Sequence, residues 1–206
     1  MKKPRLLDCY CGAGGAAVGY SRAGFIVTGV DLFPMPRYPY EFIRANVLDL
    51  DIDFLRSFDV IHARPPCQRF TTLSGMPDAR EHPNLIPATR ELLRASGRPY
   101  VIENTPRAPL IDPIRLCGSM FGLGVKDAEL RRHRMFETSF FVPRLRCRHG
   151  AMHKRVIGVY GEGCRDSRRK FDRSIPEFTV RDGREAMEIE YMTTDELSQS
   201  IPQAYS

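Results

Sequence analysis

A cysteine directly behind two prolines is the side chain in this sequence best placed for covalent chemistry. In Ala63-Arg64-Pro65-Pro66-Cys67-Gln68 the prolines restrict φ on the approach to Cys67 and hold its thiol in one direction. A free thiol titrates near about 8.5, and the flanking Arg64 and Arg69 would lower it toward the nucleophilic thiolate if their side chains turn inward. A second stretch, Ile102-Glu103-Asn104-Thr105, sets a carboxyl group at the end of an apolar run. The third is Asp8-Cys9-Tyr10-Cys11-Gly12-Ala13-Gly14-Gly15, where backbone N–H groups and absent side chains would let a cofactor approach closely. Asp31 follows at the distance at which a carboxylate accepts from ribose hydroxyls. The glycine loop alone leaves the cofactor open, because it also satisfies the dinucleotide fingerprint.

These stretches need a scaffold that brings them together, and hydrophobic periodicity supplies one. Residues 5–8, 25–30, 58–62 and 99–103 read as buried strands, and residues 16–23 and 85–96 as helices. Strands alternating with helices predict an α/β domain with a largely parallel sheet, Rossmann-like in architecture. In such a sheet ligands collect at the carboxyl ends of the strands, where Cys67 and Glu103 both fall. Beyond Pro143 the chain becomes rich in Arg and Lys, with one apolar run over 156–160. The division expected is a catalytic and cofactor-binding core over 1–143, a small basic β-containing insertion over 144–185, and a returning C-terminal helix over 186–206. Thr193 to Glu196 fits a capping box for that helix, and Pro202 should stop it.

The 206 residues are 42% apolar, enough for one domain with a substantial core. A mean hydropathy of −0.33, with no apolar run near the roughly 18 residues that span a bilayer, excludes a transmembrane helix. Asp8 interrupts the N-terminal apolar stretch too early for a secretion signal, so a cytoplasmic location is expected. The net charge of +6 favours an anionic partner, nucleic acid first. The six cysteines are then expected as reduced thiols. Cys9 and Cys11, two apart, are expected to share one face of the first strand and to pack there.

In their order along the chain these motifs resemble the DNA (cytosine-5) methyltransferases, compact phage-type DNA methylases among them. Leu7 to Gly15, continuing to Gly19-Tyr20 and Ala23-Gly24-Phe25, is similar to the S-adenosylmethionine loop. Pro65-Pro66-Cys67-Gln68 is similar to the nucleophile motif, Glu103-Asn104-Thr105 to Glu-Asn-Val, and Arg132-His133-Arg134 to the arginines of Gln-x-Arg-x-Arg. The resemblance implies that Cys67 thiolate adds to C6 of a flipped-out cytosine and that C5 then attacks the sulfonium methyl. It places Glu103 at N3 and the exocyclic amine, and Arg134 and Arg132 near O2 and the adjacent phosphate. It assigns Tyr10, Gly12, Ala13, Gly14, Gly15, Asp31, Leu32, Asp49 and Pro65 to the S-adenosylmethionine pocket, Asp31 on the ribose and Asp49 on the adenine amine. It also puts Gln68 and Arg69 beside the nucleic acid.

The departures from the family pattern are specific. The target-recognition region is confined to about 143–185, which predicts a short recognition site. Arg165, Arg168, Arg169, Lys170 and Arg173 would then supply phosphate contacts to duplex DNA. Arg64 stands in place of a common Gly, and Thr105 in place of Val. The sequence ends at Tyr205-Ser206, where the last family motif, a helix closing the cofactor pocket, would be expected to follow. Cys147, His149, His153 and Cys164 could offer Zn²⁺ an N2S2 set, although Cys-x-His is an uncommon ligand spacing and a small sheet would hold the insertion without metal; the expectation is none. A monomer suffices. Alternatives left open are RNA or a free cytosine nucleotide as substrate, and a DNA-binding relative with little turnover.

Overall fold

Leu6, Leu7 and Cys9 have no exposed surface, so the first strand, β1 (Arg5–Cys9), is covered on both faces, as a strand inside a parallel sheet must be. The computed structural model describes residues 2–66, 83–147, 149, 155–161 and 163–206. After β1 come α1 (Gly15–Arg22), β2 (Ile26–Asp31), β3 (Glu41–Arg44), α2 (Ile52–Arg56) and β4 (Val60–Ala63), then α3 (Ile86–Ser96) and β5 (Tyr100–Asn104). β6 (Ile114–Leu116), β7 (Gly124–Val125), β8 (Ala128–Leu130) and β9 (Arg134–Thr138) follow. β10 (Val156–Tyr160), β11 (Gly163–Asp166), α4 (Val180–Met187) and α5 (Thr194–Gln199) complete the regular elements.

Seven strands form the main sheet in the order β3-β2-β1-β4-β5-β9-β6. The first five run parallel, and β9 is antiparallel to both neighbours. This is the Rossmann-like α/β arrangement the periodicity predicts, and its strand order reverses between β1 and β4, the position where open α/β sheets bind ligands. Expected and observed elements differ by a residue or two at their ends, the usual fraying of a boundary.

The domain division differs from the expected one. A second, four-stranded sheet, β11-β10-β8-β7, draws β7 and β8 from ahead of residue 143, and α4 runs across residue 185. The physical reason is burial. Leu130, Phe136, Ile157, Met187 and Leu197 lie in one apolar cluster, so the basic segment packs into the common core instead of standing apart from it. Cys9 and Cys11 also part company: β1 ends at Cys9, Tyr10 takes φ 54°, and the two thiols enter different clusters.

Both late helices start on capping boxes. Thr193 and Glu196 exchange hydrogen bonds with each other's backbone as expected. Thr179 and Asp182 do the same for α4, satisfying N–H groups that a helix start leaves unpaired.

The second sheet is fastened by one buried carboxylate. Asp166 is 3% exposed and accepts from Arg155 Nε at 2.8 Å, with Arg168 Nη2 at 3.2 Å. Burial alone would raise its pKa, but the hydrogen bonds from Arg168 and Arg155 outweigh that and hold it below the ordinary carboxylate value. Its contribution to stability is therefore present above the unfolded-state value of about 3.9 and lost as pH falls through the lower folded value. Asp166→Asn should cost about 1–3 kcal/mol at neutral pH. In thermal melts the gap from the parent should close between about pH 5 and pH 2; a gap that stays constant over that range would contradict the assignment.

Candidate active site at the sheet switch point

The two loops flanking the reversal point leave the sheet side by side. The backbone N–H of Arg64 donates to the Cys9 carbonyl at 3.1 Å, so the Pro65-Pro66 turn departs directly beside the glycine loop. That loop turns through Gly14, whose φ of 88° lies in the left-handed region open to glycine at little cost. The Gly12 N–H donates to Asp31 Oδ2 at 3.0 Å and the Phe33 N–H to Asp31 Oδ1 at 3.1 Å. Asp31 thus bridges the ends of β1 and β2. A carboxylate has about four acceptor sites, so two remain for a ligand hydroxyl.

Around Asp31 the surface is apolar and open: Leu32 is 53% and Phe33 64% exposed. The Ala45 N–H donates to the Asp31 carbonyl at 3.0 Å, which brings the segment carrying Asp49 to the same edge. Asp49 is exposed and held by Asn46 Nδ2 at 3.0 Å. On the other side of β1, Tyr10 hydroxyl meets Thr89 Oγ1 at 2.9 Å. Burial, the largest influence, pushes Tyr10 up to about 12, so it stays a neutral phenol. Ala13 is buried, and its carbonyl accepts from Tyr191 hydroxyl at 2.9 Å, a partner that nothing in the local sequence signals.

Glu103 closes the site from the next strand. It is 1% exposed, and Asn104 Nδ2 beside it donates to the buried Pro65 carbonyl at 2.9 Å, fixing the start of the Pro-Pro turn against the end of β5. Arg134 Nε lies 3.1 Å from Glu103 Oε1, within ion-pair distance but off the N–H direction, and Oε1 makes no hydrogen bond among the described residues. A buried carboxylate oxygen without a hydrogen bond is costly, and this one sits at the carboxyl end of a central strand. Cys67, Gln68 and Arg69 lie outside the described residues; Pro65 and Pro66 lead to them.

Several residues are placed otherwise than expected. Arg132 does not share Arg134's task. Its guanidinium donates to the carbonyls of Val159, Ser198 and Ser200, with Nε to Ser200 at 3.0 Å. Burial foremost, with Arg134 alongside, lowers its pKa from the usual arginine value. Arg64, expected to act on the thiol, extends instead over Gly12 to the Gln199 carbonyl at 2.9 Å. At Gly15 the neighbour that leaves no room for a Cβ is the chain's own Ser200, whose Oγ would be 1.8 Å away.

In the basic segment, Arg165 and Arg169 pair with Glu177 and Arg168 with Asp166. Lys170 and Arg173 are exposed and form no ion pair among the described residues. Among the described residues, the four that could have offered zinc a site within the basic segment do not come together. Cys164 is buried on β11 with Gly183 of α4 against its sulfur, Cys147 and His149 lie elsewhere, beside His133, and His153 is outside the described residues.

Arg132→Met should behave as a stability variant. It strips buried carbonyls at the end of α5 of their donors, a loss of roughly 2–4 kcal/mol, to be read as a lower urea midpoint. An unchanged midpoint would return Arg132 to the group facing the site.

The chain matches no protein-family model and no curated protein. Among solved structures it is similar to S. pombe Dnmt2 methyltransferase, with a TM-score of 0.59 at 12% identity over 98% of this chain and 95% of that one. It is similar over the same shares to the Entamoeba histolytica methyltransferase EhMeth, with a TM-score of 0.55 at 11% identity. A looser likeness, TM-score 0.43 at 20% identity, joins 65% of this chain to 45% of a candidate DNA modification methyltransferase encoded within an E. coli prophage, so the chain spans less than half of that protein's length. At such identities the likeness is one of fold, and the fold is the Rossmann-like one of these methyltransferases.

Proposed function

We propose that this chain transfers a methyl group from S-adenosylmethionine to C5 of cytosine in duplex DNA, with Cys67 as the covalent nucleophile. The observation that carries the reading is Glu103: a buried carboxyl group at the end of β5, one oxygen without a hydrogen bond among the described residues, facing Arg134 and tied through Asn104 to the Pro65-Pro66 stretch that leads to Cys67. A group that must contact a cytosine ring requires this placement, and a purely structural acid would be expected to have its hydrogen bonds filled.

The residues at the ends of β1 and β2 fit the cofactor. Asp31 keeps acceptor capacity for ribose hydroxyls, Gly12 to Gly15 form the turn below it, and Leu32 and Phe33 offer uncovered apolar surface to an adenine ring, with Asp49 at the same edge. When bound, S-adenosylmethionine supplies an electrophilic methyl on sulfur. Cys67 thiolate bonds to C6 of the cytosine, and the electron pair of the C5–C6 double bond moves to C5, which takes the methyl group. Solvent water then takes the C5 proton, the C5–H electron pair re-forms the C5–C6 double bond, and the C6–S bond breaks to release the Cys67 thiolate. In its protonated form Glu103 would donate to N3 and accept from the exocyclic amine while negative charge develops in the ring, and Arg134 stands where O2 would lie.

Such chemistry needs the base out of the stack. Lys170 and Arg173 provide exposed cations, without an ion pair among the described residues, for the backbone, and the exposed pair of Arg165 with Glu177 is weak enough, about 0–1 kcal/mol, for phosphate to displace the carboxylate.

The test is 5-methyldeoxycytidine by nucleoside mass spectrometry, in genomic DNA from a host free of cytosine methylation that expresses the parent chain or Cys67→Ala. Methylation present only with Cys67 is expected. Its absence from DNA together with 5-methylcytidine in RNA would move the substrate to RNA, and absence from both with soluble protein would overturn the reading. Glu103→Gln should lower methyl transfer about 10²- to 10³-fold with cofactor affinity unchanged in calorimetry. Asp31→Ala should do the opposite to binding, weakening S-adenosylmethionine about 10- to 100-fold through the lost charge-assisted hydrogen bonds.

A further inference from the structure

We propose that Cys117, His133, Cys147 and His149 form a structural zinc site that ties the start of the basic segment to the edge of the main sheet. Each offers one ligand atom, and the four atoms lie within 4.8 Å of one another. In tetrahedral zinc coordination, bonds of about 2.3 Å to sulfur and 2.0–2.1 Å to nitrogen put ligand atoms roughly 3.3–3.8 Å apart. Cys147 Sγ is already 3.4 Å from His133 Nε2. The rings of His133 and His149 stand 5.5 Å apart at 52°, inclined to each other and not stacked.

His149 Nε2 is buried without a hydrogen bond among the described residues. That is unfavourable for an imidazole nitrogen at the edge of a protein, and a metal bond would satisfy it. Cys117 is fully buried and its thiol donates to the Arg131 carbonyl at 3.0 Å; metal binding exchanges that proton, and the one on Cys147, for a bond to the ion. Two thiolates then balance the two positive charges of zinc, so the filled site adds no net charge beside Arg115 and Arg131. Two sulfur and two imidazole ligands suit Zn²⁺ and leave no coordination position open, which makes the site structural.

The site joins three stretches that the sheet alone does not hold together. Cys117 follows β6, His133 separates Arg132 from Arg134 ahead of β9, and Cys147 and His149 belong to the stretch after β9, where regular structure gives out and Phe141 and Leu145 are left exposed. The inference stands independently of the proposed methyl transfer.

The experiment is zinc content by inductively coupled plasma mass spectrometry on the tag-free full chain, refolded with Zn²⁺ and freed of excess metal. Cobalt substitution then reports thiolate ligands through their charge-transfer absorption. About one zinc per chain is expected, falling below about a tenth in Cys147→Ser and in His149→Ala, both half-buried loop positions, with circular dichroism unchanged. Cys164→Ser should keep its full zinc. A parent chain that takes up no zinc overturns the proposal, as does full retention in Cys147→Ser or loss in Cys164→Ser equal to that in Cys147→Ser.

Discussion

The carbonyl groups at the end of α5 are the point on which the site depends. A helix leaves its last carbonyls without partners and concentrates negative partial charge there. Here those of Ser198, Gln199 and Ser200 are taken up by two arginines from elements far apart in sequence, Arg64 just beyond β4 and Arg132 just before β9. Gly15 of α1 backs onto Ser200, and Tyr205 hydroxyl returns to the Arg132 carbonyl at 2.7 Å. One short helix end therefore sets the spacing between the glycine loop, the Pro-Pro turn and the stretch bearing Arg134. Charge-assisted hydrogen bonds of this kind are worth about 1.5–3 kcal/mol each, large against the usual margin of stability.

This clamp accounts for the contrast between Arg132 and Arg134. In a strand-like stretch neighbours two apart share a side, and Arg132-His133-Arg134 lies just at the entry to β9, where that expectation is natural. The approach of α5 breaks it: the Ser198 and Ser200 carbonyls draw Arg132 away and leave Arg134 to face Glu103. Two residues that look equivalent in the sequence are thus divided between holding the scaffold and facing Glu103, by an element some sixty-six residues further on.

What was legible in the sequence is what local chemistry decides. The strand of residues 5–8 is readable because Leu6 and Leu7 must be buried, the start of α5 because Thr193 and Glu196 can each satisfy the other's backbone, and the parallel sheet because strand and helix alternate. Asp31, Glu103 and Pro65 fall where strand ends put them. What was not legible depends on partners distant in the chain. β7 and β8 are two and three residues long, too short for a period, and are strands because β7 pairs with β8 and β8 with β10. Cys117 and His133 carry no spacing signal that joins them to Cys147, since β6 and β9 must pair first. Arg64 beside a cysteine motif reads as a modifier of the thiol until the Gln199 carbonyl is seen to claim it.

Two buried carboxylates on strands of the parallel sheet show how partners separate scaffold from site. Asp8 on β1 is 1% exposed, and both its oxygens meet partners from inside the fold: His62 Nδ1 lies 3.0 Å from its Oδ1, and Tyr38 hydroxyl 3.5 Å from its Oδ2. Glu103, equally buried, has one oxygen that meets only an ill-aligned arginine among the described residues. Desolvating a carboxyl group costs about the same in either place, and hydrogen bonding recovers it. Asp8 recovers part of it on both oxygens with side chains of its own fold. Glu103 Oε1 does not, so a polar ring at the end of β5 would be bound with that desolvation already met, the condition under which a hydrogen bond contributes most to binding and to stabilising a transition state.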